Sequence, residues 1–198
     1  MTEWVMGLIE QSGYLGVGFL MFLETMFPPI PSEVIMPVAG LVAAKGDLQL
    51  SLVIASGTAG AMLGNIFWYL AARALGTDRL KPIIHKHGKW LTVNWREVQR
   101  AQRWMEKHGT AFVLVGRVIP TMRSLVSVPA GLLKMRFRNF LVASTLGTFA
   151  WTALLAGAGF RLRSEFGQVD QFLAPIANAV LALMLVVYLW RLATHKPD

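Results

Sequence analysis

Four ionisable residues lie in two stretches of this chain that are otherwise strongly apolar. Glu24 and Glu33 fall in the first stretch, and Arg117 and Arg123 fall in the second. A charged side chain inside a membrane is costly, and its presence there is typical of a substrate or ion pathway. A guanidinium group keeps its charge and presents a planar fork that matches the oxygens of phosphate or carboxylate. The two arginines therefore predict a clamp that binds an anion.

The two glutamates predict a different chemistry. In a space of low dielectric, the loss of hydration opposes a charged carboxylate, so a glutamate there can take up a proton near neutral pH. If the two stretches meet tip to tip, the acids of one face the guanidinium groups of the other. Glu24 and Glu33 would then carry protons while Arg117 and Arg123 bind the anion. The alternative is that both pairs are buried salt bridges that only hold the two stretches together.

The composition of the chain places these residues in lipid. Its 198 residues are 55% hydrophobic and 15% charged, and its mean hydropathy of +0.50 is too high for a soluble domain of this size. Uncharged runs at 48–72, 139–160 and 171–190 each match the roughly 20 residues that a helix needs to cross a bilayer. Residues 5–23 predict a further helix that is retained, since no basic leader or cleavage motif accompanies them.

The distribution of basic residues predicts the orientation of these spans. Nine of the 19 Lys and Arg residues lie in residues 73–108, directly after a predicted span. This excess is typical of a cytoplasmic loop, and it favours that interpretation of the net charge over a nucleic-acid partner. The span at 48–72 then runs inward and the span at 139–160 runs outward. Within the loop, Asn94 and Glu97 resemble a capping box that begins an amphipathic helix on the membrane surface.

The two stretches that hold the ionisable residues, 24–46 and 112–135, are broken by proline. Proline removes a backbone donor and interrupts a helix. Non-helical backbone at membrane depth survives only where it is buried in protein or lines a cavity, so both stretches predict re-entrant hairpins. The hairpins are predicted to be shaped by Pro29, Pro31 and Gly40 in the first and by Pro120, Pro129 and Gly131 in the second, with Pro28 and Pro37 as further helix breakers.

An offset of 91 residues aligns the two hairpins, because it places Pro29 on Pro120 and Gly40 on Gly131. Each hairpin precedes a long span, and the charge count gives these two spans opposite directions. The pattern predicts an inverted-topology repeat, although two proline-rich loops could also match by chance. In secondary transporters such repeats meet around a substrate site. Glycines at positions 57, 60, 64, 147, 157 and 159 are predicted to form small faces for close helix contact.

Other polar and aromatic residues carry weaker predictions. His85 and His87 have no cysteine or carboxylate cluster nearby, and we interpret them as solvated rather than as metal ligands. Asn65 could line a cavity, whereas Trp68 and Tyr69 are predicted to belong to an interfacial aromatic belt. The sequence has no cysteine and no phosphate-binding glycine loop, HExxH or GxSxG motif. No metal or organic cofactor is predicted.

The two hairpins together carry the motifs of a known membrane-protein family. The run from Glu24 to Glu33 with its prolines, then Phe112-x4-Arg117-x2-Pro120-x2-Arg123 and the Pro-Ala-Gly that follows, resembles the DedA family, also called the VTT or SNARE-associated domain family. The resemblance covers nearly the whole chain. It implies a bacterial inner-membrane protein with two re-entrant hairpins that acts in lipid translocation, on undecaprenyl phosphate or on phospholipids such as phosphatidylethanolamine, and that depends on the proton motive force.

The resemblance also implies roles for individual residues. By motif, Glu24, Glu33, Arg117 and Arg123 take the positions of the acidic and arginine residues that the family requires. One position departs from the pattern. Many members have Pro-Gly-Asp or Pro-Gly-Glu where this chain has Pro-Ser-Glu at 31–33, so the acid is kept and the turn glycine is not.

The sequence therefore predicts an all-α integral membrane protein with an inverted repeat of a re-entrant hairpin and a transmembrane helix. The predicted single membrane domain covers residues 1–198, with a first repeat at 24–75, a basic cytoplasmic amphipathic segment at 76–111, a second repeat at 112–162 and a C-terminal span at 171–191.

The predicted function is proton-coupled flipping of an anionic lipid across the inner membrane, without enzymatic chemistry. The predicted partners are the lipid and protons, with no nucleic acid, and a homo-oligomer is left open. A small-ion or drug transporter and a non-transporting assembly factor for membrane proteins are the alternatives. A lipid phosphatase ranks below them because its usual Lys, Arg and His clusters are missing from the sequence.

Overall fold

The computed structural model describes residues 2–26, 32–91, 95–119, 122–123, 126–166 and 186. The regular structure within these residues is helical, without strands. Its helices are α1 (Thr2–Met26), α2 (Ser32–Lys45), α3 (Leu50–Leu91), α4 (Trp95–His108), α5 (Thr110–Val118), α6 (Ser127–Leu132) and α7 (Phe137–Phe166). The predicted all-α class is confirmed for this part of the chain.

Parts of three helices are long and apolar enough to cross a membrane. Among the described residues these spans are Val5–Met26 in α1, Leu50–Thr77 in α3 and Phe137–Leu162 in α7. Large apolar side chains on them face outward, since Leu63 is 63% exposed and Leu154 is 61% exposed, as expected of helices surrounded by lipid. The predicted N-terminal, second and third helices are thus present. Apart from Val186, the predicted C-terminal span at 171–191 lies outside the described residues.

The basic segment after the second span is more helical than predicted. The helix α3 continues beyond the membrane span to Leu91, with a break at Gly76 where φ is 65° and ψ is 178°. The predicted amphipathic helix is present as α4, which buries Met105 and exposes Arg100 and Arg103. The charge pattern missed the extension of α3 because it indicates the side of the membrane and says nothing about backbone conformation. Asn94 of the predicted capping box lies outside the described residues.

The chain divides into two compact units, and both long helices contribute to both of them. The first unit comprises Met1–Leu63 and Phe149–Val186, and the second comprises Gly64–Thr148 and Val187–Asp198. Each unit therefore contains one predicted hairpin together with a part of α3 and a part of α7. The compact units cut across the sequence repeats, because each repeat contributes a long helix to both units.

The first unit is built around α1 and α2, which pack against each other. Its core includes Ile9, Leu20 and Ile35, all at most 1% exposed. The helix α1 has a kink at Gly13, and α2 has only 14 residues, fewer than a helix needs to cross the bilayer. The residues between the two helices, which include Pro29 and Pro31, lie outside the described part of the chain.

Two of the prolines expected to break helices lie inside helices. Pro37 lies within α2, which continues from Ser32 to Lys45. Its neighbours Met36 and Val38 are buried, and this tertiary packing offsets the hydrogen bond that proline removes. Pro129 lies in the first turn of α6, where its missing N–H has no partner within the helix in any case. The expectation that Pro37 breaks a helix was wrong, whereas the predicted role of Pro129 in shaping the second hairpin stays a prediction. Pro120 lies outside the described residues.

A glycine with the same backbone conformation precedes each hairpin. Gly13 has φ of 55° and ψ of −133°, and Gly109 has φ of 55° and ψ of −129°. A residue with a Cβ atom adopts this backbone conformation very rarely, so both breaks require glycine. Gly13 stands before the second part of α1, and Gly109 stands directly before α5. The two glycines thus share one local geometry, and they lie 96 positions apart, five more than the offset that aligns the predicted hairpins.

Glycines also permit matching contacts in the two units. In the first unit, a Cβ atom on Gly40 of α2 would overlap the carbonyl oxygen of Ala156 in α7. In the second unit, a Cβ atom on Gly131 of α6 would overlap the carbonyl oxygen of Tyr69 in α3. The helix α2 therefore approaches α7, and α6 approaches α3. In each unit, a short helix of one predicted repeat packs against the long helix of the other.

The helices α1 and α5 each make a close contact with one of the long helices. Gly60 of α3 lies against the backbone of Gly18 in α1, and a Cβ atom on Gly147 of α7 would lie 2.8 Å from the carbonyl oxygen of Leu114 in α5. These contacts confirm the predicted small faces at Gly60 and Gly147. They do not extend to Gly157, where a Cβ atom would meet no neighbouring part of the described chain within 4 Å.

Gly40→Ala should lower the thermal stability of the protein. An added methyl group at this position meets backbone, which cannot rotate away, so the expected loss is about 1–3 kcal/mol. Gly157→Ala is the matched control because it makes the same change where space is available, and alanine favours helix there. Thermal unfolding of both purified variants in detergent tests this. Equal midpoints for the two variants would contradict the close contact at Gly40.

Candidate functional site

Arg117 lies in the last turn of α5 and is only 2% exposed. Its Nε donates to Ser144 Oγ at 3.3 Å, and its Nη2 donates to Ser144 Oγ at 3.2 Å and to Ser127 Oγ at 2.7 Å. Its Nη1 donates to Asn65 Oδ1 at 2.8 Å and to the carbonyl oxygen of Arg123. A guanidinium group has five N–H donors, and these hydrogen bonds engage all of them.

Four helices of the second unit position this arginine. Asn65 comes from α3, Ser144 from α7, Ser127 from the first residue of α6, and Arg117 itself from α5. The close approach depends on Gly147, since a Cβ atom there would lie 2.6 Å from the Cβ of Arg117. The guanidinium carbon also lies 5.8 Å from the centre of the Phe140 ring, in range of a cation–π interaction. A buried charge is thus surrounded by polar and aromatic groups that offset its lost hydration.

Arg123 lies in the turn after α5 and is half-buried. Its backbone N–H donates to the carbonyl of Ile119 at 3.0 Å, and its own carbonyl accepts from Arg117. Arg117 therefore holds the backbone of the turn that carries Arg123. The structure brings the two predicted anion-binding residues together, and one of them fixes the position of the other.

The two acidic residues lie in the first unit. Glu24 is in the last turn of α1 and is 8% exposed, and its Oε2 lies 3.3 Å from the hydroxyl of Thr25. That hydroxyl also lies 3.0 Å from the carbonyl of Met21. Glu33 is half-buried in the first turn of α2, where a carboxylate interacts favourably with the helix dipole. Both acids thus stand at helix ends on either side of residues 27–31.

The serine that departs from the family motif has a structural role. Ser32 is fully buried at the start of α2. Its hydroxyl lies 3.4 Å from Nε1 of Trp151 in α7, which donates to it, and 3.4 Å from Oε2 of Glu33, which can accept its proton. A glycine could make neither contact. Ser32 thus links Glu33 to the long helix α7.

Tyr69 is a core residue and does not belong to an interfacial belt. It is completely buried and stacks on Phe140 with ring centres 4.3 Å apart. Its hydroxyl donates to the carbonyl of Met135 at 2.5 Å and accepts from Nη1 of Arg73 at 2.6 Å. The sequence indicated the depth of Tyr69 along the helix but not the direction that it faces, which is why the belt prediction was wrong for this residue.

The sequence pattern indicated that Asn65 could line a cavity, but it did not indicate Ser127 and Ser144 as partners of Arg117. The available signal was weak, because serine is common in membrane helices, where it can bond its own backbone. The side chains of His85 and His87 lie outside the described residues. Within the part of the chain that the structure describes, no group of three His, Cys, Asp or Glu side chains could hold a metal ion.

Known proteins are similar to this chain over most of its length. A family model described as the VTT domain matches residues 16–161. A protein of Lactococcus lactis subsp. cremoris named alkaline phosphatase-like protein is 35% identical over 190 residues, which cover 96% of this chain and 89% of that protein.

Two further relatives carry the name undecaprenyl phosphate transporter A. The protein of Staphylococcus aureus is 29% identical over 190 residues, which cover 96% of this chain and 94% of that protein. The protein of Bacillus subtilis is 27% identical over 179 residues, which cover 90% of this chain and 86% of that protein. No solved structure matches.

Proposed function

This chain belongs to the VTT-domain family, also called the DedA family, and on that premise we propose that it flips an anionic polyprenyl lipid such as undecaprenyl phosphate across the bacterial inner membrane. The observation that carries the proposal is Arg117, a buried arginine whose acceptors come from the two long helices α3 and α7 and from α6. Arginine suits phosphate because its fork matches two phosphate oxygens. Two relatives are named undecaprenyl phosphate transporter A, which favours the same substrate for this chain.

Arg123 and Arg117 bind the phosphate in this proposal, and the lipid tail remains in the bilayer. Glu24 and Glu33 take up and release protons, which couples lipid movement to the proton gradient. Burial makes the charge of Glu24 costly, so a proton on this side chain changes the energy of its hairpin. The alternatives, a small-ion or drug transporter and an assembly factor, use the same residues without a lipid phosphate.

We further propose that the two repeats are inverted and that transport follows from rocking of one against the other. The paired backbone geometry at Gly13 and Gly109 supports a repeat. The paired contacts of Gly40 and Gly131, each with a span of the other repeat, support it as well.

The inverted repeat predicts that the ends of the two hairpins are accessible from opposite sides of the membrane. Single cysteines at Lys45 and Met135 can be labelled with a membrane-impermeant maleimide in right-side-out and inverted vesicles. Neither native residue is a cysteine, and the chain contains none, so each label has one target. Labelling of both positions from the same side would refute the inversion.

The proposed function is tested by reconstitution of the purified protein into liposomes with a fluorescent polyprenyl monophosphate. Flipping is measured as the fraction of label that becomes protected from an impermeant quencher, and thin-layer chromatography measures any free phosphate or alcohol. We expect the protected fraction of label to change faster in liposomes that contain the protein than in protein-free liposomes. We expect no free phosphate or alcohol. Hydrolysis without flipping would instead indicate a phosphatase. A rate equal to that of protein-free liposomes, with the lipid intact, would refute the proposal.

A further inference from the structure

We propose that Asn65, Ser127 and Ser144 form a placeholder site that occupies Arg117 when no lipid phosphate is bound, and that they thereby set the affinity for the anion. This inference rests on the proposed function and deepens it. It starts from the five hydrogen bonds of Arg117, which engage as many donors as a guanidinium group has. A phosphate oxygen that bonds to Arg117 therefore competes with these acceptors.

The chemistry of the acceptors makes the exchange favourable, with a small free-energy difference. Asn65 offers an amide oxygen, and Ser127 and Ser144 offer hydroxyl oxygens, so all three are uncharged. The bonds from the arginine cation to these neutral oxygens are already charge-assisted, and an anionic phosphate oxygen adds the attraction between opposite charges. Phosphate therefore wins the exchange, and the difference that remains is small. A carrier needs such a difference, because an anion that is bound too tightly is not released.

The positions of the acceptors connect this exchange to movement. Ser127 begins α6, whereas Asn65 and Ser144 belong to α3 and α7. Through Asn65 and Ser144, Arg117 joins its own predicted hairpin to two long helices, and its bond to Ser127 stays within that hairpin. Arg117 also bonds the carbonyl of Arg123 within the same hairpin. When phosphate replaces a bond to Asn65 or Ser144, the hairpin loses a link to a span and keeps its internal one.

Two substitutions in this site should shift the affinity in opposite directions. Ser144→Ala removes a competing acceptor, so the Kd for the anion should fall about five-fold, the factor that corresponds to one net hydrogen bond. Asn65→Asp has nearly the same shape and replaces a neutral acceptor by a carboxylate 2.8 Å from Nη1 of Arg117. The ion pair should compete strongly, and the Kd should rise about ten-fold or more.

Ser56→Ala is the matched control for the serine substitution. Ser56 lies in the first unit, where its hydroxyl donates to the carbonyl of Tyr14. The probe is farnesyl phosphate, a soluble isoprenyl monophosphate, and farnesol is its uncharged counterpart. Binding is followed by tryptophan fluorescence of the full chain in detergent, and thermal unfolding of each variant is measured alongside. If Ser144→Ala does not fold, Ser127→Ala gives a second test, because it should also lower the Kd for the anion.

The outcomes separate this inference from the function on which it rests. If the wild-type protein binds farnesyl phosphate no better than farnesol, the proposed function fails. If the wild type discriminates and Ser144→Ala and Asn65→Asp both bind like Ser56→Ala, the placeholder fails and the function stands. Changes in unfolding temperature with an unchanged Kd, or Kd shifts of the same sign, would show that the three residues only support the fold.

Discussion

Arg123→Lys is expected to reduce lipid flipping about ten-fold while the yield and thermal stability of the protein stay close to those of the wild type. Lysine keeps the positive charge but loses the planar fork that bonds two phosphate oxygens. The side chain of Arg123 is half-buried in the turn after α5, and its contact with Arg117 is made by its backbone carbonyl. The substitution therefore leaves that hydrogen bond in place.

Arg117→Ala should reduce flipping further, about ten- to hundred-fold, and should also lower stability. It removes the donor for Asn65, Ser127 and Ser144 and the group that holds the Arg123 turn. Buried acceptors that lose a donor destabilise the fold, so the two arginines differ in their structural effect. The sequence motif alone treats them as equivalent.

The control for both variants is Arg138→Ala, which removes an exposed arginine at the start of α7. Flipping is measured in liposomes with equal amounts of folded protein, and stability is measured by thermal unfolding in detergent. Wild-type rates in both Arg123→Lys and Arg117→Ala would show that the arginines do not bind the phosphate. Wild-type stability of Arg117→Ala would contradict the hydrogen-bond network described here.

Glu24→Gln is expected to abolish the dependence of flipping on pH and on a proton gradient while binding of the lipid persists. Glutamine has the shape of a protonated glutamate and cannot lose a proton. Because Glu24 is 8% exposed, its gain or loss of charge changes the energy of its surroundings more than at a solvated site. Glu33 is half-buried, so Glu33→Gln should weaken the pH dependence to a smaller degree.

Glu10→Gln is the matched control for these acids, since it makes the same change on α1. Glu10 is an exposed residue whose carboxylate lies 3.5 Å from the amine of Lys45. An exposed ion pair of this kind contributes little, so the control should behave like the wild type. Flipping is measured from about pH 5.5 to 8.5, a range that reaches the values documented for some fully buried carboxylates. A flat profile for the wild type and all three variants would make the protein an uncoupled scramblase.

The sequence by itself determined the membrane location, the helical class and the identity of the ionisable residues. These follow from composition, from runs long enough to cross a bilayer and from charges that lipid tolerates only for a function. The family also followed from the residues, since the order and spacing of the acidic and arginine motifs are visible without a fold. Pro37 was not predicted correctly, because the cost of a proline in a helix depends on the packing around it.

The tertiary structure decided which side chains contact Arg117. Asn65, Ser127 and Ser144 are 52, 10 and 27 positions away from it in the chain, and only the packing of α3, α6 and α7 around α5 brings them together. It also decided that Tyr69 is buried, since hydropathy gives the depth of a residue along a span but not the face on which it lies. Hydrophobicity is a local and non-directional property, whereas a hydrogen bond requires a defined distance and angle between groups that are distant in sequence.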